Sequence, residues 1–256
     1  MGVGPHRTKE MLTALRAAAD GVLAVLLAPC CAACRRPLES PTAGPVCAPC
    51  WRAILPITPP VCDACGDPLP SWRRTSIELA RCPRCRRRRA TIDRGRAVGV
   101  YEGALREILH AFKYEGRRTL AAPLAHLMAD AGRELLATAD VVVPVPLHRR
   151  RERSRGFNQA RDLAFGLGWP MADALTRTRA TPSQTDLPAA RRHANVRDAF
   201  VVTPRSRAGI DGRVVVLVDD VSTTGATLEA CARALKDAGA REVRALTAAR
   251  VVTRRP

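Results

Sequence analysis

The sequence predicts an α/β fold, a parallel-rich sheet with flanking helices, preceded by a small cysteine-rich module. Three observations carry this expectation. Eight of the ten cysteines fall into four C-x-x-C pairs between residues 31 and 85. From about Gly95 the texture changes to apolar runs alternating with amphipathic segments, the pattern of strands alternating with helices. Val214 to Asp219 is a nearly unbroken apolar run up to its acidic end, which marks a strand buried on both faces, as in a parallel sheet. Together these divide the chain into an N-terminal helix (1–29), the cysteine-rich module (30–94) and the α/β domain (95–256).

A chain of 256 residues with 46% hydrophobic content has room for one such domain and a module, and disorder is not its default. The formal charge of +18 is spread evenly: 16 basic and 7 acidic residues precede Val98 and 26 and 17 follow from it, so each part carries +9. That charge favours a polyanionic partner. The content of only 4% aromatic residues argues against a broad base-stacking platform for single strands.

At the N-terminus, His6, Arg7 and Lys9 precede the apolar run Gly21 to Ala28, which imitates a signal peptide. Asp20 abuts the run, Pro29 ends it, and its eight residues are too few to span a bilayer, so no membrane insertion is expected. Leu12, Leu15, Leu23, Leu26 and Leu27 recur at roughly helical spacing, which predicts a helix packed on a neighbouring domain.

The pairs Cys31/Cys34, Cys47/Cys50, Cys62/Cys65 and Cys82/Cys85 follow, separated by 12, 11 and 16 residues. This spacing suits tetrahedral Zn²⁺ better than disulfides, and it points to a reducing, cytoplasmic compartment. Eight ligands make two Cys₄ sites and about two structural zinc ions per chain. Sequential pairing is the simplest arrangement, and interleaving stays open. Cys30 adjoins Cys31 and could replace it, but only Cys31 keeps the two-residue spacing. Few apolar runs lie between the pairs, so the module draws its stability from metal. Each loaded site carries −2, which lowers the +9 of the first part to about +5. Arg84 and Arg86 to Arg89, near Trp72, Arg73 and Arg74, form a basic run. It reads equally as a solvated face balancing thiolates or as a nucleic-acid patch.

In the α/β domain, Arg96 to Tyr101 reads as a strand, and Leu105 to Tyr114 and Leu120 to Leu136 read as helices. Asp140 to Val145 is a buried strand ending in Pro144, Val145, Pro146 and Leu147, where the prolines forbid ladder bonds. Arg149, Arg150, Arg151, Arg153 and Arg155 come next. In an open α/β sheet, a strand end followed by cations is where an anionic ligand lies.

After Val214 to Asp219 stand Asp220, Val221, Ser222, Thr223, Thr224 and Gly225, then Ala226, Thr227 and a helical segment to Ala238. Such a turn presents backbone N–H groups and hydroxyls to an anion, which favours a phosphate. Two adjacent carboxylates would repel it unless they faced sugar hydroxyls or Mg²⁺. The bland alternative is a buried strand ending in a solvated acidic turn. Cys231, alone in the helix, reads as a small core residue.

The run RVVVLVDDVSTTGATL resembles the phosphoribosyl-pyrophosphate (PRPP) motif of type I phosphoribosyltransferases. The resemblance implies that Asp219 and Asp220 contact the ribose hydroxyls, that Ser222, Thr223, Thr224, Gly225, Ala226 and Thr227 hold the 5′-phosphate, and that Mg²⁺ accompanies PRPP. AFKYEG, VPVPLHRRRERSRGFNQA, the run from Arg177 through Thr181 and Gln184 to Arg191 and Asn195, and LVDDVSTTGATL together resemble the ComF family, whose members are similar to GntX. That resemblance covers nearly the whole chain. It implies an apolar N-terminal helix, a double zinc ribbon and a type I phosphoribosyltransferase domain with Pro144 to Leu147 as pyrophosphate loop.

It further implies that Arg177 to Val196 closes over PRPP, with Arg177, Arg179, Arg191 and Arg192 meeting pyrophosphate and Gln184 and Asn195 orienting polar groups, unless these arginines only keep the loop soluble. By the same resemblance the expected role is PRPP binding linked to DNA uptake in competence, with single-stranded DNA and DNA-uptake or recombination proteins as candidate partners. The alternative is an active phosphoribosyltransferase with an unidentified nitrogen acceptor; a PRPP-responsive regulator is a third, weaker reading. No catalytic residue is identifiable. In enzymes acting on 6-oxopurines an acid stands three positions after the second acid of the pair. Here that position is Thr223, which cannot serve as a carboxylate base.

Overall fold

A computed structural model describes residues 5–69, 81–87, 90–178 and 199–252. Trp72, Arg73, Arg74, Arg88, Arg89, Arg179, Thr181, Gln184, Arg191, Arg192 and Asn195 lie outside the described residues. In chain order the elements are α1 (Pro5–Leu27), α2 (Ala48–Arg52), α3 (Pro83–Arg87), β1 (Arg94–Val100), α4 (Gly103–Tyr114), α5 (Ala121–Ala131), α6 (Arg133–Leu136) and β2 (Val141–Pro144). They continue with α7 (Arg149–Arg155), α8 (Gln159–Gly166), β3 (Leu175–Arg177), β4 (Phe200–Val202), β5 (Val214–Ser222), α9 (Ala226–Asp237) and β6 (Glu242–Arg250).

Four strands form a parallel sheet in the order β1-β6-β5-β2, while β3 and β4 pair antiparallel beside it. Val214 to Val218 are all buried, because helices cover both faces of the sheet. On one face Leu105, Ile108 and Phe112 of α4, Leu124 and Met128 of α5 and Leu163 of α8 meet Val216 and Val218. On the other, Leu228, Cys231 and Leu235 of α9 meet Val215 and Leu217. Alternate residues of β5 thus serve two cores, as the period-2 geometry of a strand requires.

Three expectations need correction. The helix expected over Leu120 to Leu136 is broken at Gly132, where an added Cβ would stand 2.7 Å from Leu246 Cδ1; the chain approaches β6 too closely for a side chain there. β5 does not stop at Asp219 but pairs with β6 as far as Ser222↔Arg250, because β6 is long enough to continue the ladder. Asp220 therefore lies within the strand with Asp219 rather than beyond it. Finally, α1 does not bury its apolar stripe: Leu15 is 59% exposed and Leu26 74%. Its neighbour is the short turn Pro41–Ala43, where the Thr42 amide donates to Asp20 Oδ1 at 2.7 Å. The apolar side chains of the adjoining ribbon, Leu38 and Val46, are already committed to the sheet domain's core. Among the described residues no helix is long and apolar enough to cross a membrane.

Candidate functional site

The eight paired cysteines gather into two clusters, Cys31/Cys34/Cys47/Cys50 and Cys62/Cys65/Cys82/Cys85, with the sulfurs of each within 4.8 Å of one another. Pairing is sequential, and Cys30 belongs to neither cluster. Cys34 and Cys47 Sγ are 3.8 Å apart, and Cys65 and Cys82 Sγ 3.7 Å. A tetrahedron with Zn–S bonds of about 2.3 Å has edges of about 3.8 Å, so each cluster fits one structural zinc ion. The first knuckle of each cluster turns through a left-handed residue directly after its second cysteine, Arg35 (φ 62°) and Gly66 (φ 72°). Gly66 also needs its missing side chain, since a Cβ would lie 3.0 Å from the Gly95 carbonyl oxygen. Cys231 is fully buried in the core beneath α9, and burial raises its thiol well above the ordinary value.

The second candidate centre lies at the C-terminal edge of the sheet. Pro144 stands beside Val218 in register, and the Val145 amide donates to the Val218 carbonyl at 2.9 Å. The turn from Pro144 to Leu147 therefore sits next to Asp219 and Asp220. Asn158 fixes this turn: its Nδ2 donates to the Val145 carbonyl at 3.2 Å, and its Oδ1 accepts from the Ala160 amide, capping α8. From Ser222 the chain bends through Thr223 and Thr224 to Gly225, whose φ of 79° lets α9 begin at Ala226. Thr224 Oγ1 accepts from the Ala226 amide at 3.4 Å. The arrangement places the end of a strand, a small-residue loop and a twelve-residue helix in line, the geometry of an anion cradle.

Charge at this edge is organised by a residue that the sequence reading quoted within AFKYEG but gave no role. Lys113, near the end of α4, places its Nζ 2.9 Å from Asp220 Oδ1, with the side chains only 15% and 12% exposed. Burial alone would lower the Lys113 ammonium, but the carboxylates of Asp220 and Asp219 outweigh it and hold it above its ordinary value. Burial, and then the neighbouring Asp220 charge, push Asp219 up to about 7. The available signal was a lone lysine following the buried Ala111 and Phe112 on an otherwise apolar helix face.

Arg177 at the end of β3 stacks over Phe200, with its guanidinium carbon 5.4 Å from the ring centroid. Burial and the Arg151 charge lower its guanidinium, while Cys231 and Asp219 oppose the shift. Arg149 to Arg155 form α7, capped by His148 Nδ1, which accepts from the Arg150 amide. Arg155 lies over Tyr114, 4.9 Å from its ring centroid.

The second ribbon reaches this edge directly, a juxtaposition that sequence reasoning missed. Arg84 Nη1 donates to the Thr224 carbonyl at 3.4 Å, and Arg84 Nη2 lies 3.7 Å from Asp67 Oδ2. Arg250 Nε pairs with Asp67 Oδ1, and Arg250 Nη1 donates to Ser222 Oγ at 3.1 Å. Arg86 and Arg87, the rest of the described basic run, are exposed.

A parallel sheet carrying an acid pair and a small-residue loop, behind two zinc ribbons, defines a phosphoribosyltransferase-type protein with a double zinc ribbon. Comparison agrees: residues 117–255 match the phosphoribosyl transferase domain family and residues 22–86 the double zinc ribbon domain family. The DNA utilization protein YhgH of Escherichia coli K12 is 35% identical over 224 residues, covering 83% of this chain and 93% of the relative. Competence protein F of Haemophilus influenzae is 30% identical over 223 residues, covering 83% and 93%. Competence protein ComFC of Bacillus subtilis is 29% identical over 201 residues, covering 76% and 79%. The chain belongs to the ComF family.

Proposed function

We propose that this protein binds PRPP with Mg²⁺ at the C-terminal edge of its sheet and serves DNA uptake, acting on single-stranded DNA or with proteins that do. The observation that carries the reading is the placement of Asp219, Asp220 and the loop Ser222 to Thr227 beside Pro144 to Leu147. In this reading Asp219 and Asp220 receive the ribose hydroxyls. The loop amides and hydroxyls hold the 5′-phosphate, and Pro144 to Leu147 face the pyrophosphate. Carboxylate oxygens are suitable donors for Mg²⁺, which would spread the charge of the pyrophosphate. Lys113 keeps Asp220 oriented, and Arg177 adds positive charge near the same edge. The link to DNA uptake is supported by the relatives named for DNA utilization and competence.

Calorimetry of Mg²⁺–PRPP binding tests this. Asp219→Asn with Asp220→Asn removes charge-assisted bonds of roughly 1.5 to 3 kcal/mol each, so affinity is expected to fall at least about tenfold. Equal affinity in wild type and a folded double variant would show that the pair does not contact PRPP.

A second reading, an active phosphoribosyltransferase with a nitrogen acceptor, is favoured by one observation. Residues 117–255 match the phosphoribosyl transferase domain family. Pyrophosphate release from PRPP, screened with and without candidate bases and DNA, separates the two.

A further inference from the structure

The two zinc ribbons stand in different relations to the phosphate loop, and the second is wired into it. Asp67, two residues after Cys65, bridges two arginines: it pairs with Arg250 Nε through Oδ1 and faces Arg84 Nη2 through Oδ2 at 3.7 Å. Each arginine continues to the loop, Arg250 to Ser222 Oγ at 3.1 Å and Arg84 to the Thr224 carbonyl at 3.4 Å. Arg250 is 3% exposed, and among the described residues its Nη2 has no hydrogen-bond partner, so the guanidinium depends on Asp67 for its counter-charge. Thr91, also from the ribbon side, donates its amide to Glu229 Oε2 in the first turn of α9 at 3.0 Å. A cavity of about 150 Å³ lies between the ribbon and the loop, lined by Cys65, Arg84, Ser222, Thr224 and Arg250 among others.

Among the described residues, backbone bonds such as the Cys62 amide to the Asp67 carbonyl at 2.7 Å hold the turn, and the ribbon has little apolar core besides its cysteines to keep Asp67 there. Its buried apolar cluster is Cys62, Ala64, Leu69, Cys82 and Cys85, of which three are ligands. When the thiolates lose their metal, the turn carrying Asp67 loses much of what holds it, and Arg250, still bonded to Ser222 Oγ, is left buried without its carboxylate partner.

We propose that Asp67, Arg250 and Arg84 are positioning residues that couple the second four-cysteine cluster to the phosphate loop, so that metal at the cluster and PRPP at the loop each stabilise the binding of the other. The inference rests on the PRPP-binding reading given above. Coupling between two sites is reciprocal, and where it exists it usually amounts to about 5-fold or more in affinity.

The test uses the full chain loaded with zinc and a limiting chelator, with a thiol-alkylating reagent and peptide mapping to report which cysteines become free. Mg²⁺–PRPP is expected to slow alkylation of Cys62, Cys65, Cys82 and Cys85 about 5-fold or more and to leave Cys31, Cys34, Cys47 and Cys50 unchanged. Asp67→Asn and Arg250→Lys, the latter a cation that cannot bridge two partners as a guanidinium does, should abolish that protection and weaken PRPP binding, with zinc content before chelation unaltered. A merely structural role would not make zinc retention depend on PRPP. If wild type binds PRPP but protection is absent or equal at both clusters, the coupling is overturned while the binding reading stands. If wild type does not bind PRPP, both fall. Should Asp67→Asn fail to fold, the wild-type protection pattern and Arg250→Lys still decide.

Discussion

The clusters of Cys31/Cys34/Cys47/Cys50 and Cys62/Cys65/Cys82/Cys85 use the same ligands at similar spacing but are mounted on the domain differently. Cys31, Cys50, Leu38 and Val46 join the same core as Leu105 and Phe112, so the first ribbon is held by apolar burial. Its charged tie, Arg35 to Glu115, lies at the surface, with the side chains 52% and 28% exposed. Among the described residues the second ribbon has a small private core of its own, and it meets the sheet domain mainly through backbone and polar contacts, with Ile92 at its end joining the core beneath α9. The Gly95 amide donates to the Asp63 carbonyl at 2.7 Å, and the pair Asp67–Arg250 sits over Ser222. Two copies of one motif can therefore have different jobs. One extends the core, while the other, in the coupling proposed above, depends on metal for its shape and lends that shape to the phosphate loop.

The largest effect that separates them is metal removal. About two zinc ions per chain are expected by elemental analysis, and structural zinc is worth about 10 to 16 kcal/mol of apparent binding energy at neutral pH. Chelation should therefore unfold the second ribbon outright, while the first keeps part of its amide protection through Leu38 and Val46. Hydrogen exchange followed at both ribbons reads this. Simultaneous and complete loss at both would show that apolar mounting does not distinguish them.

A smaller effect is expected where the sheet domain meets the acid pair. Lys113→Met leaves Asp220 buried opposite an apolar side chain, and breaking such a pair costs about 3 to 5 kcal/mol, measurable by urea unfolding. The pH dependence supplies a check with a definite sign. Asp219 is pushed up to about 7 by burial and then by Asp220. Its ordinary unfolded value is about 3.9, so between about pH 4 and pH 7 the folded chain keeps a proton that the unfolded chain releases. Its contribution to stability therefore falls as pH rises through that window and levels off above it. The Lys113 charge lowers Asp219, so Lys113→Met should extend the fall to higher pH, and Asp219→Asn should remove it. A flat difference between wild type and Asp219→Asn from pH 4 to pH 8 would contradict the geometry of the pair.

Much of the fold was legible because its signals are local. The C-x-x-C pairs, the apolar run Val214 to Val218 and the loop Ser222 to Gly225 each declare themselves within a few residues. What was not legible joins distant segments. Asp67 meets Arg250 across 183 positions, and nothing near either residue specifies the other. Lys113 reaches Asp220 only because α4 covers the face of β5 on which Val216 and Val218 also lie. The bare stripe on α1 was misjudged for the opposite reason: its helical period is local and correct, but whether a neighbour covers it depends on how Leu38 and Val46 are already used.

The smallest expected effect concerns the outer face of the second ribbon, which carries exposed Arg86 and Arg87 beside its cluster, with Arg88 and Arg89 following in the sequence. The first ribbon has only Arg35 and Arg36 next to its first knuckle, and Arg35 is engaged with Glu115. If single-stranded DNA is held mainly through phosphates, as +18 formal charge and three tryptophans suggest, the second ribbon should contribute and the first should not. Binding to a single strand weakens with salt by about 0.7 in log K per log salt for each phosphate neutralised. Replacing Arg86 to Arg89 with serine should then shallow the slope by up to roughly three units, with PRPP affinity unchanged. The same change at Arg35 and Arg36 should leave the slope alone. An unmoved slope in the first variant would mean that these arginines only solvate the zinc module. Competition between PRPP and DNA would instead place the strand over Arg149 to Arg155 and the turn Pro144 to Leu147. In that outcome the contrast between the ribbons would not extend to DNA, and the positive charge of α7 would be the surface to mutate next.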